Sequence, residues 1–168
     1  MNYHNIKHED MLNGEGIRVT LFVSGCSHNC PGCHNPETHP VDSGIPFDDN
    51  ALNEIYTELD KDYIAGITFS GGDPLNVHNR DTILKLCRDI KDKYSSKNIW
   101  LYTGYSYDYI SSNYHQILNY IDVLVDGKFV RKLKDSNLKW CGSTNQRVID
   151  IKKMRDNSVK HCIYLYED

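Results

Sequence analysis

The stretch "IRVTLFVSGCSHNCPGCHN", residues 17–35, joins two kinds of sequence. In its first half Ile17, Val19, Leu21 and Val23 recur at every second position. That period puts them on one face of an extended chain, the mark of a strand over 17–24. In its second half Cys26, Cys30 and Cys33 fall close together. A strand running straight into a thiol-rich loop predicts a site at the carboxyl end of that strand.

The arrangement repeats downstream. Residues 49–63 carry Leu52, Ile55, Tyr56 and Leu59 at helical spacing, with Asp48 or Asp49 as N-cap. "IAGITF" (64–69), "NIWLYT" (98–103) and "IDVLVD" (121–126) read as strands, and residues 78–94 and 107–119 as helices. "QRVIDI" (146–151) and "HCIYLY" (161–166) read as further strands, and 36–48 as one irregular loop. Strands alternating with helices predict βαβ units. A complete eightfold barrel takes roughly 200 residues or more. The expected fold is therefore α/β, a partial (open) β/α barrel with a mostly parallel sheet, in one domain over 1–168.

Four polar motifs follow the four central strands: "SGCSHNC", "SGGDPL" (70–75), "TGY" (103–105) and "DGKF" (126–129). In parallel α/β folds the loops at those strand ends line one mouth, where ligands bind. Alone, Gly71-Gly72 and Asp126-Gly127 read as turns; beside the thiols they read as site elements.

The formal charge of −4 and pI of about 6.0 speak against nucleic acid as a partner. Lys152-Lys153-Met154-Arg155 is read as a solvated basic face. The first 18 residues have no apolar core of a secretory signal, and no run approaches the ~20 apolar residues of a membrane span. A cytoplasmic protein without membrane contact is expected. There, clustered thiols point to metal or redox chemistry rather than disulfides. "NGEGIR" precedes a strand and lacks a third glycine, so it is no dinucleotide site, and no phosphate-binding P-loop occurs.

Three thiols permit three readings. Structural zinc takes a fourth ligand from His28, His34 or His39, but His34 directly follows Cys33. "CPGC" (30–33) has the form of a redox dithiol, which leaves Cys26 idle. An iron–sulfur cluster uses all three as soft ligands, with one iron left open, and is the reading preferred. Cys87 and Cys162 are read as small core hydrophobes, and the tyrosines of 102–109 as core and rim packing.

The Cys-x3-Cys-x2-Cys triplet resembles the signature of the radical S-adenosylmethionine (SAM) enzymes. "GEGIRVTLFVSGCSHNCPGCHNPET", "ITFSGGDPL", "WLYTGY", "DVLVDGKF" and "GSTNQRVID" together resemble the activating proteins of anaerobic (class III) ribonucleoside-triphosphate reductases, over about residues 14–151. The resemblance implies a barrel of the radical SAM type and a [4Fe-4S] cluster on Cys26, Cys30 and Cys33. It implies SAM on the open iron, contacted by Gly32, Cys33, His34, Ser70, Gly71, Gly72, Asp73, Pro74 and Asp126. Asp73 is expected to accept the SAM ammonium, Asp126 to face the ribose or the amino group, and Asn145, Gln146 and Arg147 to reach ligand or partner. The implied partners are the reductase, as protein substrate, and an electron donor such as reduced flavodoxin. Lys128 and Arg131 are expected at the reductase contact. Two positions depart from the pattern. Gly32 stands where many such enzymes have an aromatic residue, and Cys141 where the family carries a basic one. The alternatives are an activase of the pyruvate formate-lyase type and a zinc-stabilised binding module.

Overall fold

The computed structural model describes residues 1–157 and residue 165. The chain begins with β1 (Asn2–Asp10), β2 (Arg18–Val23) and the two-residue β3 (Ile45–Pro46). It then alternates α1 (Asp49–Leu59), β4 (Gly66–Gly71), α2 (Arg80–Lys93), β5 (Asn98–Tyr102), α3 (Tyr107–Asn113) and β6 (Val123–Asp126). β7 (Arg147–Asp150) and α4 (Ile151–Asp156) follow. The seven strands form one sheet in the order β3-β1-β2-β4-β5-β6-β7.

β2, β4, β5 and β6 pair in parallel, because a crossover separates each from the next. β1, β3 and β7 pair antiparallel at the flanks. The expected mostly parallel sheet is thus a parallel centre with antiparallel edges. β7 returns from β6 through a loop with no α-helix in it, which suits only antiparallel pairing. β1 is a strand the sequence reading misses. Its inward residues, Tyr3, Ile6 and Asp10, do not keep a period of two, because two register shifts interrupt its pairing with β2. The helix expected over 107–119 is α3 followed by a 3-10 turn at His115–Asn119. The strand expected over 161–166 lies outside the described residues, apart from a bridge between Leu165 and Ile149.

Alternation along the strands divides the sheet into two faces. Val19, Leu21, Val23, Ile67, Phe69, Ile99, Leu101 and Leu124 meet the buried faces of α1 (Ala51, Ile55, Leu59) and α2 (Ile83, Leu86, Cys87, Ile90). Each such aliphatic side chain contributes roughly 1.5–3 kcal/mol on burial. Asp48 caps α1, its side chain accepting the Ala51 amide at 2.9 Å. The opposite face holds Arg18, Thr20, Thr68 and Trp100. Arg18 is fully buried. It donates to Thr68 Oγ1 at 2.7 Å, Asn98 Oδ1 at 2.8 Å and the Ile67 carbonyl at 3.0 Å, which is how a buried cation is tolerated. Among the described residues, no helix is long and apolar enough to cross a membrane.

Candidate iron–sulfur and SAM site

The four polar loops meet at the carboxyl ends of β2, β4, β5 and β6. They enclose a cavity of about 290 Å³. Cys26, Cys30 and Cys33 line it from the first loop, Ser70 to Asp73 from the second, Thr103 and Gly104 from the third, and Gly127 to Phe129 from the fourth.

The thiol loop is held from beneath. The amides of Gly25 and Cys26 donate to the Thr38 and His39 carbonyls at 2.8 and 2.9 Å, so the irregular 36–48 segment is its floor. Cys33 N donates to the Cys30 carbonyl at 3.0 Å, closing a turn over Pro31-Gly32. All three cysteines are free thiols and half-buried. Burial pushes the Cys26 thiol up, and the charges of Asp73 and Cys30 add to this, against the amides of His28 and Asn29, which donate toward its sulfur.

Asp73 organises the second loop. Its buried carboxylate accepts from the Leu75 amide (2.8 Å), Thr103 Oγ1 (2.9 Å), the Gly104 amide (3.1 Å) and His28 Nε2 (2.6 Å). A carboxylate only accepts, so the Nε2 of His28 is the donor. The carboxylate expected to accept the SAM ammonium thus lies in the cavity lining with both oxygens already hydrogen-bonded by the protein. Asn79, just before α2, reinforces the junction. Its Nδ2 donates to the Ser24 carbonyl at 2.7 Å and the Asp73 carbonyl at 3.0 Å.

Gly72 is required by the meeting of two loops. A Cβ there would lie 2.7 Å from the Gly25 carbonyl oxygen. Gly104 makes room for His28, whose ring a Cβ at 104 would overlap.

The remaining expected contacts divide. Gly32 and His34 line the cavity with Cys33; Pro74 does not. Asp126 also lies outside the lining. Its carboxylate takes Arg147 Nε at 3.0 Å, Arg147 Nη2 and the Tyr107 amide at 2.7 Å. The structure thus places this carboxylate at the β6–β7 junction rather than among the cavity-lining residues. "NQR" sits at the same junction, and of its residues Gln146 lines the cavity. Asn145 Nδ2 donates to the Lys128 carbonyl and Gln146 Nε2 to the Gly127 carbonyl, both at 2.9 Å, while Gln146 Oε1 accepts the Gly142 amide. Cys141, half-buried, packs beside Trp100, Val123 and Val125.

Sequence reasoning did not give His28, Thr103, Gly104 or Asn79 these roles. The available signal was a histidine between two cysteines and a Thr-Gly pair at a strand end.

Three thiols facing one cavity suit an iron–sulfur cluster, which takes soft thiolate ligands. Among the described residues, no three His, Cys, Asp or Glu side chains converge as on a single metal ion. Gly71, Gly72 and Gly104 leave the strand ends in the cavity wall without side-chain bulk, so a ligand can approach the backbone there. The residues fit both groups.

Comparison with known proteins agrees with that class. Residues 12–149 match the family model described as a 4Fe-4S single cluster domain. The anaerobic ribonucleoside-triphosphate reductase-activating protein of Escherichia coli K12 is 48% identical over 150 residues, covering 88% of this chain and 97% of that protein. The proteins of the same name from Haemophilus influenzae and Enterobacteria phage T4 are each 43% identical over 148 residues. These alignments cover 87% and 88% of this chain, and 96% and 93% of the respective relatives. The chain belongs to the family of anaerobic ribonucleoside-triphosphate reductase-activating proteins, within the 4Fe-4S single cluster domain family.

Proposed function

We propose that the chain is a radical SAM activase that cleaves SAM reductively and generates the glycyl radical on an anaerobic ribonucleoside-triphosphate reductase. The convergence of three free thiols with the loops of β4, β5 and β6 on one cavity carries this reading. Its support is the family membership and the fit of the donor set.

In this reading Cys26, Cys30 and Cys33 hold a [4Fe-4S] cluster. When bound, the cluster and SAM supply one-electron cleavage of the sulfonium and, from it, hydrogen abstraction at a glycine α-carbon. The chain's own residues position these groups. His28, Asp73 and Thr103 lock the thiol loop against the loops of β4 and β5. Ser70, Gly71 and Gly72 present a strand end with little side-chain bulk, and Gly32 and His34 line the cavity beside the third thiol, where they would meet the adenine. In this reading the fold is an open β/α barrel of the radical SAM type, with the cavity at the mouth formed by the strands' carboxyl ends. That mouth suits a peptide loop of the reductase better than a free small molecule. Reduced flavodoxin is the electron donor in this scheme, and the cytoplasm its compartment.

The test is anaerobic reconstitution, read as iron and sulfide content together with 5′-deoxyadenosine released from SAM under dithionite. Cys26→Ala, Cys30→Ala and Cys33→Ala should each lose both signals, and Cys87→Ala neither. Colourless protein with one zinc, or a Cys30→Ala protein with a full cluster and normal cleavage, contradicts the proposal.

A further inference from the structure

The loop after β6 carries Lys128, Arg131, Lys132 and Lys134 within seven positions. All four are exposed, and among the described residues none has an ion-pair partner. The nearest acid in sequence, Asp135, is turned to its own loop, where Oδ1 accepts from the Asn137 amide at 2.9 Å. The basic run on α4 differs, since Lys152 pairs with Asp156 at 2.6 Å and Arg155 with Asp122 at 3.5 Å. In a chain of net charge −4, an unneutralised basic loop of this density is a local exception.

Its position is equally specific. Arg131 lies over Gly32, where a Cβ would stand 3.1 Å from its Cδ. Lys128 and Phe129 face the thiol cavity on one side and a second groove on the other. That groove holds about 610 Å³ and runs past Cys30, Pro31, Val130 and Lys132. Val130 and Leu133 are exposed among the cations. Apolar side chains ringed by unpaired charge of one sign, at the rim of a mouth, are the composition of a protein-docking surface.

We infer that the 128–134 loop docks the reductase itself, through an acidic surface with an apolar centre that flanks the reductase's glycine loop. This rests on the activase reading above. A glycine delivered into the cavity must arrive on a segment whose flanks touch the cavity rim. This loop is a rim element whose four cations are unpaired among the described residues. Complementary charge steers encounter and fixes register, while Val130 and Leu133 supply the contact that excludes water.

Lys132→Glu and Val130→Asp test the inference, because neither residue lines the thiol cavity. Each variant is reconstituted, checked for wild-type iron and sulfide, and titrated with the reductase by sedimentation or calorimetry at two salt concentrations. Affinity should fall about tenfold for Lys132→Glu, mainly through association rate and with a shallower salt dependence, and comparably for Val130→Asp through dissociation. SAM cleavage under dithionite without reductase should be unchanged in both. Reductase affinity equal to wild type in both variants overturns the inference. So does unchanged affinity combined with slowed reduction by a protein donor, which assigns the loop to the electron carrier. Loss of SAM cleavage in the wild-type chain instead refutes the activase reading, independently of the loop.

Discussion

His28 Nε2 lies 2.6 Å from Asp73 Oδ2, and both side chains are almost wholly buried. This bond ties the loop that carries the thiols to the loop that follows β4, and Thr103 brings in the loop after β5. His28 also packs edge-on to Tyr105, with ring centroids 4.6 Å apart. The site is therefore held by protein contacts before any ligand is considered.

His28→Ala should lower the stability of cluster-free protein by about 1.5–3 kcal/mol, the range for a hydrogen bond to a charged group. Gly104→Ala should lower it similarly, by pushing the His28 ring off Asp73. The double variant should cost clearly less than the sum, because both changes remove one interaction. Urea denaturation of the four proteins measures the cycle, and simple additivity would contradict the shared mechanism.

Gly72→Val should lose iron as well as SAM binding. The added side chain meets the Gly25 carbonyl, next to Cys26, so it displaces the thiol loop itself. Iron and sulfide analysis after reconstitution decides this. A full cluster with only SAM binding lost would mean that the glycine serves the ligand alone.

Arg147→Ala should destabilise the fold by roughly 3 kcal/mol, because it leaves Asp126 buried without its charge partner. SAM affinity of the protein that remains folded should stay within about twofold of wild type. A selective loss of SAM affinity with unchanged thermal stability would place Asp126 at the ligand site instead.

Asp10 gives the pH dependence of the fold. Burial raises its pKa, but the Leu12 amide, Asn13, Thr20 and Lys7 outweigh that and hold the carboxyl below its usual value. A depressed folded-state pKa contributes stability above the unfolded value of about 3.9, which is lost as pH falls through the folded value. Asp10→Asn should therefore be destabilised near neutral pH, and its difference from wild type should shrink below about pH 4. Denaturation midpoints at pH 7 and pH 3.5 measure this, and a pH-independent difference would contradict it.

The parallel centre was legible because each of its strands is short, apolar and followed by a polar motif. The thiol triplet was legible for the same reason: its chemistry is local. β1 was not, because bulges destroy its alternation and much of it faces solvent. Asp73 and Asp126 were visible as acids at strand ends, but their partners, His28 and Arg147, lie 45 and 21 positions away. A sequence shows that a carboxylate is present at a strand end. It does not show that a distant donor has already claimed it. Cys141 illustrates the same limit, since only the packed structure shows it beside Trp100.

The most direct measurement is electron paramagnetic resonance of the reduced, reconstituted protein mixed anaerobically with SAM and the anaerobic reductase, with 5′-deoxyadenosine quantified in the same samples. The account predicts a glycyl-radical signal on the reductase in step with 5′-deoxyadenosine. The signal should be absent when the target glycine is replaced by alanine and absent with the Cys30→Ala activase. SAM cleavage that leaves no radical on the reductase, while consuming a free small molecule, would contradict it.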